Sequence, residues 1–330
     1  MDGLSNEDDL IARYFAPLAG PGGLGLRDDA ALVRVPEGHE LVLTKDALVA
    51  GVHFFADDPW RAVAQKALRV NLSDLAAKGA QPLGYLLAIA LPPNTTAPQL
   101  AQFAEGLKLD GDAFGLPLLG GDTVRTPGPL TISVTALGSV PMGQMVRRTG
   151  VQPDDRLYVT GTIGDSALGL QSRLHPEHAV WSRIGARHLT HLQQRYLLPQ
   201  PRNGLASVLG QFAHGGMDVS DGLIGDLTKM LKASGVTAQV ELGAIPLSDA
   251  ARAAIIAEPR LFETAVTGGD DYELLIAVPS AQAVAFESAV QALDGVVTQI
   301  GVAEAGTGAP LFLSSHGEAV SFARQSFSHI

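Results

Sequence analysis

The spacing of apolar and polar positions changes along the chain, and each change marks an element. From Leu4 to Leu18 the pattern predicts a short helix, with Ser5 as its cap and Asp8 three residues on, an acidic variant of the capping box. After a glycine-rich stretch, PGGLGLRDDAA, come two β-type runs, ALVRV and ELVLTKDALV, separated by PEGH. Asp58-Pro59 puts proline at the first position of a helix predicted over Trp60 to Lys78, which Gly79 and Pro82 stop. The apolar run GYLLAIALP reads as a buried strand, and Thr96–Phe114 as a second helix with Pro98 in its first turn. LPLLGGDT reads as a strand running into a turn, and PLTISVTALGSV as a strand rich in β-branched residues.

The second half repeats this mixture. LYVTG is a strand, GDSALGLQ opens a helix, Gly222–Ser234 is a further helix, VTAQVEL is a strand, and Phe262–Gly269 leads into the strand YELLIAV. The chain changes character over Pro141–Gly150, and no fixed-period repeat or low-complexity tract is present. We therefore expect an α+β protein of two domains. Residues 1–140 form a mixed sheet with two long helices, and residues 141–330 an α/β sandwich-like domain. Composition agrees: 330 residues give a soft prior of about two domains. With 46% hydrophobic and 17% charged residues the chain can bury a core, while 37 Gly and 20 Pro argue against a coiled coil or helical bundle.

Charge narrows the function. With 34 acidic against 23 basic residues the net charge is −11, which argues against a nucleic-acid binder and against docking on anionic lipid. An anionic substrate stays open, because bound cations invert the local field. The absence of cysteine excludes disulfides, thiolate-held metals and thiol catalysis. The acidic N-terminus lacks the basic and apolar regions of a signal peptide. The longest apolar run, around Tyr85–Leu91, falls well short of the roughly 20 residues that span a bilayer. A soluble cytoplasmic protein is the expectation.

The candidate chemistry lies in aspartates placed at turns beside Gly, Ser or Thr: Asp28 and Asp29, Asp46, Asp74, Asp122, Asp218 and Asp221, Asp270 and Asp271. Hard oxygen donors of this kind suit Mg²⁺, which is held by one or two carboxylates plus waters and substrate phosphates. An Asp beside Gly is more often a turn or cap residue. Asp74 differs, because it falls inside an apolar helix on the same face as Asn71, where it needs a partner or solvent. In MDVSDGL, alternation sends Asp218 and Ser220 to one side, Ser220 is expected to cap a helix starting at Asp221, and a helix start suits an anion. In GGDT, Gly120 and Gly121 allow a phosphate to approach the backbone beside Asp122. The chain has no GxxxxGK[ST] loop, no HRD or DFG pair, no HExxH and no GxSxG, and GTIGDSALG lacks the dinucleotide spacing. His175, His178, His188 and His191 read as solvated helix faces.

The ordered set RDDAA, TKDALVAGVHF, KALRVNLSDLAAKGAQP, GGDTVR, DDRLYVTGTIGDSALGL, MDVSDGLIGDL and TGGDDYELL resembles the thiamine-monophosphate kinases, members of the aminoimidazole-ribonucleotide synthetase-like ATP-binding superfamily. The resemblance runs from about Leu4 to the C-terminus. It implies ATP-dependent phosphorylation of thiamine monophosphate to thiamine diphosphate, with no nucleic acid or membrane as partner. It implies a first domain that binds ATP and Mg²⁺ and pairs its sheet across a homodimer, and a second domain that completes the cleft. Metal ligands would fall on Asp29, Thr44, Asp46, Asp74, Asp122, Asp218 and Asp221. ATP contacts would fall on Phe114, Gly121, Asp122, Arg148 and Ser220, and substrate contacts on His53, Asp270 and Phe327. No general base is implied, since the acceptor is a phosphate oxygen already anionic near neutral pH. The chain departs from the family pattern at Lys45 (a small hydroxyl residue elsewhere), Asp270 (commonly Glu), Phe327 (Tyr or Trp), Phe114 (Tyr), and Arg27 of the usual GDD. Two alternatives remain at this stage. One is another ATP-using relative of the purine-pathway type; the other is a non-catalytic nucleotide-binding protein on the same fold.

Overall fold

The structure, a computed structural model, describes residues 7–323. It divides into two units. The first takes the residues up to Leu75 together with Ala80–Gly143, and the second takes Ala76–Gly79 together with the residues from Gln144 on.

In the first unit the chain opens with α1 (Glu7–Leu10), widens into a π-type turn at Ile11–Phe15 and then tightens into a 3₁₀ turn at Ala16–Leu18. The single helix expected over Leu4–Leu18 is thus broken after Leu10, and Pro17, which has no amide hydrogen, sits in the first turn of the 3₁₀ segment. ALVRV forms no strand. Leu32 is exposed, and its amide donates to the Gly22 carbonyl (2.9 Å) instead of to a ladder. The sheet consists of β1 (His39–Val49), β2 (Gln81–Leu91), β3 (Leu118–Arg125) and β4 (Thr131–Pro141) in the order β1-β4-β2-β3. Only the β2–β3 pair is parallel. GGDT continues this ladder instead of turning, with Asp122 opposite Ala88.

Between the strands run α2 (Trp60–Ala77) and α3 (Ala97–Phe114). Thr96 and Gln99 form a capping box at the start of α3, and Gly115 ends it in the left-handed region. One face of the sheet is apolar and buried, with Val42, Leu48, Leu87, Ile89, Ile132 and Val134. The opposite positions Leu41, Leu43 and Leu86 stay 40–60% exposed, leaving an apolar sheet face open.

The second unit is built on a seven-stranded sheet, β11-β10-β7-β9-β5-β8-β6. Its strands are β5 (Asp155–Thr160), β6 (Gly215–Asp218), β7 (Val236–Glu241), β8 (Leu274–Pro279), β9 (Val297–Ala305), β10 (Leu311–Leu313) and β11 (Ala319–Val320). The helices are α4 (Asp165–Leu174), α5 (Ala179–Arg183), α6 (Ala186–Leu197), α7 (Ala206–Phe212), α8 (Leu223–Ser234), α9 (Asp249–Ala257), α10 (Leu261–Thr267) and α11 (Ala283–Gln291). The unbroken apolar run of β8 is explained by burial on both faces. Leu275 and Ala277 pack with Leu223, Leu227 and Met230 of α8, whereas Leu274, Ile276 and Val278 pack with Leu209 and Phe286 of α7 and α11. A further apolar cluster gathers Leu168, Leu192, Ala251 and Ala265 of α4, α6, α9 and α10.

The expected site residue Phe327 lies outside the described residues. Among the described residues no helix is long and apolar enough to cross a membrane.

Candidate active site

The first unit sorts its expected residues onto two faces of one sheet. Strand alternation puts Thr44 and Asp46 on the side of β1 that carries buried Val42 and Leu48, and Lys45 on the other. On the buried side α2 brings Asp74 up to β1, and Thr44 Oγ1 donates to Asp74 Oδ2. Asp46 is pushed up to about 6, first by burial and then by the charge of Asp74. A carboxylate held against its charge beside a second carboxylate favours a cation shared between the two. Asn71, one turn before Asp74, is fully buried; its Nδ2 donates to Ala67 O, and its Oδ1 accepts no hydrogen bond.

The open side of the sheet carries a cavity of about 730 Å³ whose lining includes Asp28, Asp29, Lys45, Gly121 and Asp122. A side chain at Gly121 would collide with the Leu87 carbonyl of β2, so strand pairing by itself requires glycine there.

His53 sits in the turn after β1. The Val49 amide donates to its Nδ1 (3.1 Å), and the buried Lys66 ammonium donates to its carbonyl (2.9 Å). A ring nitrogen that accepts an amide hydrogen carries no proton, so in the neutral ring the hydrogen lies on Nε2. Phe114 ends α3 beneath Arg69, whose guanidinium lies 5.9 Å from the ring centre and grips Asp110 at 2.6 and 3.0 Å.

In the second unit the loop after β6 carries Asp218, Ser220 and Asp221. The expectation that Ser220 caps a helix starting at Asp221 is not met. α8 begins at Leu223 with Gly222 (φ 108°) before it, and no side chain caps it. Instead Asp226, in the helix's first turn, reaches back, and its Oδ2 accepts from the amides of Ser220 (3.0 Å) and Asp221 (2.8 Å). Burial raises the Asp226 carboxyl, against the lowering effect of the Asp221 amide and Lys229.

This loop is strapped to the one carrying Asp270. Asp270 N donates to Ser220 O (2.9 Å), Tyr272 N to Val219 O (2.8 Å) and Val219 N to Glu273 O (2.8 Å). A Cβ on Gly269 would strike the Ser220 carbonyl. Asp270 and Tyr272 both hold positive φ, 70° and 51°. Asp271, between them, is no surface ligand. It is fully buried, its Oδ2 accepts from Gly164 N (2.8 Å), and burial holds it well above the usual carboxylate range. Glu273 is equally buried. It accepts from Arg195 (2.9 Å), Arg202 (2.7 Å) and Thr160 Oγ1 (2.7 Å). Arg148 lies on an exposed turn that Ser234 holds through the Arg148 carbonyl (3.0 Å).

Residues 27–140 match the N-terminal domain of AIR synthase related proteins, and residues 152–313 match the C-terminal domain of the same family. The thiamine-monophosphate kinase of Caulobacter vibrioides is 44% identical over 304 residues, covering 89% of this chain and 83% of the relative. The chain belongs to the thiamine-monophosphate kinase family. The crystal structure of the family member from Stenotrophomonas maltophilia K279a superposes with a TM-score of 0.80 at 37% identity, covering 89% of this chain and 91% of that one. AaThiL complexed with AMPPCP and TMP gives 0.76 at 29% identity, covering 100% and 98%.

Within this family frame, the structure gathers Thr44, Asp46 and Asp74 in one place, Asp29, Gly121 and Asp122 around one cavity, and Asp218, Ser220, Asp221 and Asp270 on two clamped loops. Among the described residues no three His, Asp or Glu side chains converge into a ready-made cage. Such a donor set fits a Mg²⁺ shared between one or two carboxylates and a phosphate, better than an ion enclosed by protein alone.

The histidines expected on solvated faces have structural partners. His178 caps α5 by accepting from Val180 N (3.4 Å), and His191 Nε2 lies 3.1 Å from buried Asp165. Sequence reasoning also missed Asp226, Lys229 and Glu273 as supports of the loops. The available signal was an acid in the first turn of a helix directly after SDG.

Proposed function

We propose that this chain transfers the γ-phosphate of ATP to thiamine monophosphate, giving thiamine diphosphate and ADP. The reading is carried by the acidic loops. Each of the seven positions read here as a metal ligand keeps an oxygen donor, in a chain whose family includes a member solved with AMPPCP and TMP.

The acceptor oxygen is anionic near neutral pH, so no general base is needed. The protein's task is alignment and charge neutralisation, and the transfer is direct and in-line. Mg²⁺, when bound, screens the two polyanions that must meet. Asp29, Thr44, Asp46, Asp74, Asp122, Asp218 and Asp221 are the residues that would hold several such ions between them. Phe114, Gly121, Arg148 and Ser220 serve the nucleotide, with the Arg148 guanidinium adding positive charge at the phosphates. His53 offers its Nε2–H, and Asp270 its carboxylate, to the acceptor. A carboxylate suits the cationic thiazolium or the aminopyrimidine. Two copies of the chain pair through the exposed leucines of the first unit's sheet. The cysteine-free, acidic composition suits the cytoplasm.

The test is ADP release from Mg·ATP with thiamine monophosphate, with thiamine, and with no acceptor, the product being identified by chromatography. Thiamine diphosphate formed only with the monophosphate is the expected result. ATP binding without acceptor-dependent ADP would overturn the reading.

A further inference from the structure

Lys229 stands where a cation belongs. It lies on α8, three residues after Asp226 and eight after Asp221. Its Nζ bonds Asp221 Oδ2 at 2.6 Å and Asp226 Oδ1 at 3.1 Å. The two carboxylates differ in setting. The Asp226 side chain is 1% exposed and fixed by the two loop amides, whereas the Asp221 side chain is 36% exposed and Lys229 is 42% exposed. One bond of the ammonium is therefore to a fixed internal anchor and the other to a carboxylate open to solvent. An ammonium has three donors and can release one acceptor while keeping another. Burial lowers the Lys229 pKa, and the bonds to Asp221 and Asp226 more than offset it, so the charge is held.

We propose that Lys229 is the resident counter-charge of Asp221 and gives that carboxylate up to a divalent cation while remaining on Asp226. The inference rests on the reading of Asp221 as a metal ligand. It assigns positioning roles to two residues outside the family's ligand set. Asp226 fixes the backbone of Ser220 and Asp221 and keeps Lys229 close, and Lys229 sets how tightly the loop takes its ion. With no cation present, the ammonium spares Asp221 the repulsion of Asp226. With a cation bound, the charge at Asp221 is exchanged, not added.

The test is Mn²⁺ binding to the full chain without nucleotide, followed by the electron paramagnetic resonance of free Mn²⁺ at low ionic strength. The relevant sites are those that Asp221→Asn weakens. Lys229→Met should tighten them about three- to fivefold, the scale of an exposed ion pair removed as competitor. Lys232→Met, on the same helix but away from the pair, should leave them within about twofold and serves as the control for charge alone. Asp226→Asn should change affinity in the opposite direction to Lys229→Met, because the loop amides lose their carboxylate while Lys229 stays on Asp221. Unchanged or weaker binding in Lys229→Met, with the Asp221→Asn loss intact, overturns the exchange and leaves the ligand assignment standing. If Asp221→Asn itself leaves Mn²⁺ binding unchanged, the ligand assignment fails and the exchange falls with it.

Discussion

Replacing Asp46 by Asn should stabilise the metal-free protein while removing activity. In the fold this carboxyl is raised from 3.8 to about 6, by burial and then by Asp74. Between those two values the folded chain binds more protons than the unfolded one, so stability falls as pH rises from about 4 to about 6 and then levels off. The interval corresponds to about 3 kcal/mol, and partial solvent screening brings the expected cost of the ionised group to about 2–3 kcal/mol. Asn keeps the shape and carries no charge. The two proteins should therefore melt alike near pH 4, and the variant should gain roughly 5–10 °C in the transition of the first unit at pH 7–8. Scanning calorimetry in EDTA across that range measures the difference, and Mg²⁺ in place of EDTA should narrow it. A variant that melts lower than wild type at pH 8, or a difference that does not grow with pH, would refute the argument that Asp46 is held against its own charge.

Other substitutions probe the remaining contacts. Asp218→Asn keeps shape and removes charge, and should lower kcat about 100-fold or more in saturating Mg²⁺; turnover within a few-fold of wild type would remove Asp218 from the ligand set. Gly269→Ala forces a Cβ against the Ser220 carbonyl and should cost about 1–3 kcal/mol in urea unfolding while raising KM for both substrates. A change confined to stability would show that the two loops are not coupled to binding. Glu273→Gln leaves Arg195 and Arg202 without their carboxylate in the interior and should cost about 3–5 kcal/mol; a loss under about 1 kcal/mol would mean that the arginines find other partners.

The long elements were legible because their periodicity was strong and their ends carried chemistry. Pro59 before α2, Pro98 in the first turn of α3 and the all-apolar run of β8 each point to one structure. The errors have tertiary causes. ALVRV has the composition of a strand, but its Leu32 amide is taken by Gly22 and its side chain faces solvent. GGDT has the composition of a turn, but Gly121 is needed for the close approach of Leu87. At the site, the ordered aspartates were visible as a family pattern, yet the sequence treats all of them alike. It cannot distinguish Asp221, which is half-exposed, from Asp271, which is buried against Gly164. That difference depends on which strand ends meet in space, and residues 218–221 and 269–273 are some fifty positions apart.

The buried charges explain how those loops are held. A loop that offers carboxylates to a cation cannot bury them, and exposed loops of Asp and Gly have little cohesion of their own. Here the cohesion comes from acids that stay inside. Asp226 takes the amides of Ser220 and Asp221, Asp271 takes the Gly164 amide, and Glu273 joins Thr160, Arg195 and Arg202. Direct backbone bonds from Asp270 to Ser220 and from Tyr272 to Val219 then make the two loops one body. It follows that the position of Asp270 and those of Asp218 and Asp221 are not independent. A substitution at a buried acid should shift the apparent affinities for acceptor and for metal together, whereas a substitution at an exposed one should shift only its own.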